Sequence, residues 1–303
     1  MTVIDREQNI QNHRLSHLKT WISADAYAKR ILLGSASANP WQSVAGYVTW
    51  FGQAQNLIQS DLGIISIGEV FDLHAAAAGG LAQLLGQRKS PKMAMRKLLQ
   101  SEAARGLINE VLSAVLAQTS QLILLRIPSP RAWLNHAVRL AGLNVQEIVD
   151  EDIEDAAAYV TDVIRALSTQ PIAGLIVEED AAAEAVAEWS AKTTLYYRPL
   201  INIAQHYRWS IILHMPQQQS IEAQLLDNFD AVISKVQSQF KTDTALLGLE
   251  LSDEFNQAQT IPACSAHEFY YIELAEDSRP EISTQRIAAL KKQIAASRIE
   301  QFN

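Results

Sequence analysis

Residues 173–180 read Ala-Gly-Leu-Ile-Val-Glu-Glu-Asp, an apolar run that ends abruptly in three carboxylates. An apolar run without polar alternation is what a parallel strand requires when helices cover both of its faces. Upstream, Glu151, Asp152, Glu154 and Asp155 place negative charge at the start of a helix, where the backbone dipole is positive. Ile153, Ala157, Val160 and Ile164 then recur at three- and four-residue spacing, and Pro171 follows as a stop. The unit is helix, turn, buried strand, acidic loop.

The same unit recurs along the chain. Short β-rich runs fall at 47–51 (YVTWF), 63–68 (GIISIG), 121–127 (QLILLRI) and 173–177 (AGLIV). Four more fall at 209–214 (WSIILH), 231–234 (AVIS), 245–251 (ALLGLEL) and 269–274 (FYYIEL). Eight such runs alternating with amphipathic segments predict an α/β fold, a single (β/α)8 TIM-type barrel. An open doubly wound sheet is the alternative. The segment 90–117 begins Ser90-Pro91, a cap and a first-turn proline, and reads as one long helix. Residues 15–33 read as a helix outside the repeat, so the expected division is an N-terminal helical extension, 1–40, and a barrel, 41–303. Its apolar set of Leu18, Trp21, Ile22, Tyr27 and Ile31 offers a surface for a partner, including a second copy of the chain.

Composition narrows the function classes. The 303 residues are 48% hydrophobic and 19% charged, the balance of a globular protein. The net charge of −8, with no Lys/Arg run longer than two residues, argues against nucleic acid as a partner. No apolar run approaches the length needed to cross a bilayer. The single cysteine, Cys264, precludes an internal disulfide and fits a reducing compartment, so a cytoplasmic location is expected. Cys264 has no adjacent base and reads as a bystander. No glycine-rich phosphate loop is present: the 75–80 run (AAAAGG) lacks the Lys-Ser/Thr that would follow it, and no nucleotide cofactor is expected.

In a parallel barrel, chemistry collects at the carboxyl ends of the strands. There this chain places Glu69, Arg126, Glu178, His214, Glu250 and Glu273, with Glu179, Asp180 and Asp253 just beyond. Taken singly, each could be a helix cap or a solvated loop residue; their convergence is what suggests a site for a small-molecule substrate. His214 closes 211–213 (IIL) and precedes Met215-Pro216, which suits a general base or a metal ligand. Glu178 and Glu250 are candidate acid/base groups, Arg126 a clamp for an anionic substrate group, and Glu69 and Glu273 the substrate-binding wall. Glu178, His214 and Glu250 would also suit a divalent ion such as Zn, Mg or Mn, although no compact ligand motif is present. His74, His136 and His206 read as surface or packing residues.

Five segments, 124–130 (LLRIPSP), 173–180 (AGLIVEED), 196–214 (YYRPLINIAQHYRWSIILH), 245–253 (ALLGLELSD) and 268–276 (EFYYIELAE), follow one another in a familiar order. With Arg279-Pro280-Glu281 opening the last helix, the stretch 121–296 resembles the barrel superfamily of uroporphyrinogen decarboxylase and cobalamin-independent methionine synthase. The resemblance implies a lyase or a transferase: decarboxylation of a small organic acid, or one-carbon or methyl transfer. The chain departs from the decarboxylases in lacking an arginine at 50–55 (WFGQAQ) and in ending its last strand with ELAE rather than a histidine. It departs from the methyltransferases in carrying Pro216 where a zinc-binding cysteine would stand. Two further readings stand beside this one: a divalent-metal isomerase or aldolase, and a barrel without catalysis that serves as a binding or assembly partner.

Overall fold

The computed structural model describes residues 15–87, 89–180, 191–216, 228–235, 245–257, 261–265 and 267–300. Eight parallel strands run β1 Thr20–Ser23, β2 Gly63–Ser66, β3 Ile123–Pro128, β4 Gly174–Glu178, β5 Ser210–Met215, β6 Ala231–Ser234, β7 Leu246–Glu250 and β8 Glu268–Glu273. They pair in the order β1-β8-β7-β6-β5-β4-β3-β2. The result is a (β/α)8 TIM barrel.

The seam between β1 and β2 closes largely through side chains. One carboxylate oxygen of Asp61 accepts from the backbone N–H of both Lys19 and Thr20, at 2.9 Å each, and the Ser60 hydroxyl accepts from Ile22 N–H at 3.0 Å. One backbone bond, from Asp61 N–H to Thr20 O at 2.9 Å, joins them.

Successive residues face alternately inward and outward, as the strand period demands. Trp21, Ile64, Leu124, Ile176, Ile212, Ala231, Ile233, Leu246, Phe269 and Tyr271 pack inside the barrel. Ile65, Leu125, Leu175, Ile211, Leu213 and Val232 pack with the surrounding helices. The rings of Trp21 and Phe269, on the neighbouring strands β1 and β8, stack at 3.9 Å. Gly248 makes room for Phe269, since a Cβ there would come within 2.6 Å of both Ile233 and the Phe269 ring. At Gly174 a Cβ would run into the backbone oxygen of Ser210, so glycine permits β4 and β5 to approach.

Seven of the eight strands fall where the apolar runs predicted them, within two residues at the start of each. The eighth expectation is corrected. Residues 47–51 lie in the helix Val44–Ile58, capped by Ser43 Oγ accepting from Gly46 N–H at 3.1 Å. Tyr47, Trp50, Phe51, Ala54 and Ile58 are its buried face, a helical period that overrides the β-propensity of Tyr, Val, Thr and Trp.

The missing strand comes from the segment 15–33, which is not one helix. Thr20–Ser23 is a wholly buried strand and only Asp25–Leu33 is a long helix. Trp21, Ile22 and Tyr27 are accordingly buried within the chain. The segment 90–117 is likewise two helices, Pro91–Leu99 and Glu102–Leu116, because Ser101 Oγ accepts from Ala104 N–H and starts a new one. Among the described residues, no helix is long and apolar enough to cross a membrane.

Candidate active site at the strand carboxyl ends

The interior is apolar up to its last layer, where the inward positions become Ser23, Ser66, Arg126, Glu178, His214, Glu250 and Glu273. Strand register puts them side by side: Ser66 beside Arg126, Glu178 beside His214, Ser23 beside Glu273. The sequence-predicted residues Arg126, Glu178, His214, Glu250 and Glu273 therefore share the mouth of the barrel. Glu69 stands in the first turn of the helix Gly68–Ala77, where it binds Lys29 Nζ at 2.5 Å.

Arg126 is the hub. Its Nε donates to Ser66 Oγ at 2.9 Å, its Nη1 to Tyr271 Oη at 3.3 Å and Glu273 Oε1 at 3.2 Å, and its Nη2 to Asp25 Oδ2 at 3.3 Å. Glu178 Oε2 lies 3.5 Å from Nε. Burial alone would favour loss of the Arg126 proton, but Tyr271, Glu178, Glu273 and Asp25 outweigh it and hold the pKa above the usual arginine value. Asp25 and Tyr271 were not expected at the site. Asp25 sits in the segment read as lying outside the barrel, and Tyr271 looked like one more apolar strand residue.

His214 is 1% exposed and lies against the Tyr271 ring, centroids 4.7 Å apart. Its Nδ1 is 3.7 Å from Glu178 Oε1, beyond hydrogen-bond reach, and neither ring nitrogen has a hydrogen-bond partner among the described residues. Burial, reinforced by the positive charge of Arg126, lowers its pKa to about 3, so the ring is neutral at physiological pH. Glu250 is also buried, which raises its pKa, and its Oε2 has no partner among the described residues. Buried polar groups left without partners cost stability, and in native proteins they concentrate where function requires them.

A cavity of about 360 Å³ opens off Arg126 and Glu178 and runs over the ends of β3 and β4. It is lined by two groups to which sequence reasoning gave no role. Burial raises Glu179 to about 7, against the pull of Ser129 and Arg131, which places its titration near neutrality. His136, expected as a surface or packing residue, presents Nε2 to both carboxylate oxygens of Asp72 at 2.9 Å, and this bond raises its pKa. Arg139 pairs with Asp180 at 3.1 Å at the rim. Asp72 and His136 are 64 residues apart on different helices, so no local pattern could have joined them.

Among the described residues, no three His, Cys, Asp or Glu side chains come close enough together to hold a metal ion. Glu178 and His214 approach one another, but Glu250 does not complete a three-ligand set with them. Cys264 lies away from the mouth, its Sγ donating to Glu268 O at 3.0 Å.

No protein-family model matches the chain, and no curated protein does. Solved structures do. The chain is similar to a methyltransferase from Methanosarcina mazei, with a TM-score of 0.52 at 10% identity over 94% of this chain and 95% of that one. It is also similar to a protein described as a vitamin-B12 independent methionine synthase from Listeria monocytogenes, with a TM-score of 0.47 at 9% identity over 91% and 95%. Likeness at such identities is a likeness of fold.

Proposed function

We propose that this barrel is an enzyme that moves a one-carbon or methyl group between small molecules by acid/base chemistry at the carboxyl ends of its strands. The observation that carries this reading is the cavity beside Arg126, because it brings two proton-handling groups to one space. Glu179, titrating near neutrality, is suited to take a proton from an acceptor O–H, N–H or S–H. His136, held in orientation by Asp72 and raised in pKa, is suited to give one to a leaving group. His214, neutral and buried, would orient the ligand from the barrel axis rather than exchange protons at neutral pH.

Decarboxylation of a small organic acid fits this mouth less well. Arg126, the cation expected to hold such an acid, is already surrounded by Asp25, Glu178 and Glu273. A further carboxylate would have to displace one of them.

The test is a time course with ¹³C-methyl-labelled donors and thiol, amine or alcohol acceptors, and in parallel with ¹³C-carboxyl-labelled organic acids, followed by NMR. Migration of the label with wild type, slowed by about a hundredfold or more in Glu179→Gln, supports the reading. Release of labelled CO2 from organic acids without methyl migration would move the assignment to a lyase. Neither reaction over the whole panel would leave a binding barrel.

A further inference from the structure

Arg126 cannot act as a free anion clamp. The guanidinium carries five N–H donors; four are given to Ser66, Tyr271, Glu273 and Asp25, and Glu178, 3.5 Å from Nε, is the fifth group around it. Three of those five are carboxylates around a single positive charge, so the hub carries an excess of negative charge. Among the described residues, Lys29 is committed to Glu69 at 2.5 Å, and Lys235 is paired with Asp253 at 2.7 Å on the rim, from where its charge reaches Glu250 and His214 without contacting the three carboxylates around Arg126.

The second observation is independent of that count. Glu250, 6% exposed and closing β7 in the same layer, has one carboxylate oxygen, and His214, 1% exposed, has two ring nitrogens, without partners among the described residues. In a neutral imidazole one of those nitrogens is an acceptor. The mouth thus holds an excess of negative charge together with buried acceptors that lack donors.

We propose that the mouth takes a compact organic cation, an ammonium or amidinium compound, whose N–H groups are received by Glu178, Glu250 and Glu273 beside the His214 ring. Such a ligand supplies the missing donors and cancels the excess charge. An anion of the same size would find at most one N–H of Arg126, on Nη2, not already given away, and would meet three carboxylates. The inference rests on the reading of this mouth as a ligand site and names the class of molecule it selects.

A size-matched series tests it: n-butylammonium, n-butanol and n-butyrate, with butylguanidinium and Mg²⁺ as further arms, each followed by thermal denaturation of the full chain. A ligand that binds only the folded state stabilises it by RT ln(1 + [L]/Kd), and Tm rises with ligand concentration accordingly. The ammonium and guanidinium compounds are expected to raise Tm, with butanol and butyrate inactive. Glu178→Gln and Glu250→Gln, each checked for native circular dichroism, should weaken cation binding by about tenfold or more. Stabilisation by butyrate, by Mg²⁺ alone, or by none of the five overturns the proposal, and so does a cation effect unchanged in both variants. Cation binding without methyl transfer would sink the enzymatic reading and leave this one standing, whereas turnover of anionic substrates alone would do the reverse.

Discussion

The Nδ1 of His214 stops 3.7 Å short of Glu178 Oε1, so two ionisable side chains on adjacent strands face each other without a hydrogen bond. Burial and the positive charge of Arg126 keep the ring neutral down to a pH of about 3. The arrangement stores instability that acid should release.

Unfolded histidine takes up a proton below about pH 6.5, while folded His214 does not until about pH 3. The stability this group contributes is therefore present above about pH 6.5 and lost as pH falls towards 3. Glu179 has the opposite sign. Its folded pKa of about 7 lies above the unfolded value, so its contribution is present below about pH 4.5 and lost as pH rises through 7. Urea denaturation of His214→Gln should show a stability that falls less between pH 7 and 5 than that of wild type. Glu179→Gln should fall more steeply than wild type over the same interval.

Removing Arg126 leaves Asp25, Glu178 and Glu273 facing one another without their shared cation. Arg126→Gln is expected to cost about 1–3 kcal/mol, less than breaking a fully buried ion pair because the carboxylates left behind are partly exposed. The deficit should shrink at high salt, which screens the like charges. Urea midpoints at low and high salt check this, and a deficit independent of salt would show that lost packing, not charge, is responsible.

The β1–β2 seam predicts an unusual sensitivity at a surface residue. Asp61→Ala removes the acceptor for both Lys19 and Thr20 N–H. A loss of about 2–4 kcal/mol is expected for two bonds to a charged acceptor, with Asp61→Asn intermediate because it keeps one oxygen. Hydrogen exchange should accelerate first at Lys19, Thr20 and Ile22; uniform acceleration over all strands would contradict a local seam.

Asp72→Asn replaces a carboxylate that raises the His136 pKa with a neutral amide. The His136 pKa should fall towards the usual histidine value. Proton NMR titration of the ring resonances reads it directly, and an unchanged value would remove Asp72 as the cause.

Much of the barrel was legible in the sequence, since strands buried on both faces must be apolar runs and nothing else in a chain of this kind has to be. That logic located β2 to β8 and the polar residues closing them, so Arg126, Glu178, His214, Glu250 and Glu273 could be named in advance. It failed at β1, where Thr20 and Ser23 flank only Trp21 and Ile22, and at 47–51, where aromatic and β-branched residues lie on a helix. In both places a few side chains were read by propensity, while packing followed burial period.

Sequence by itself determined the alternation of strand and helix, the apolar filling of the interior and the chemistry available at the strand ends, because these are local properties of residue type and spacing. Only the tertiary structure decided that Asp25 joins Arg126, that Asp72 orients His136 and that the expected anion clamp is already occupied. Those contacts join residues 64 to 147 positions apart. Their energies depend on burial and on the position of every neighbouring charge, which no reading along the chain contains.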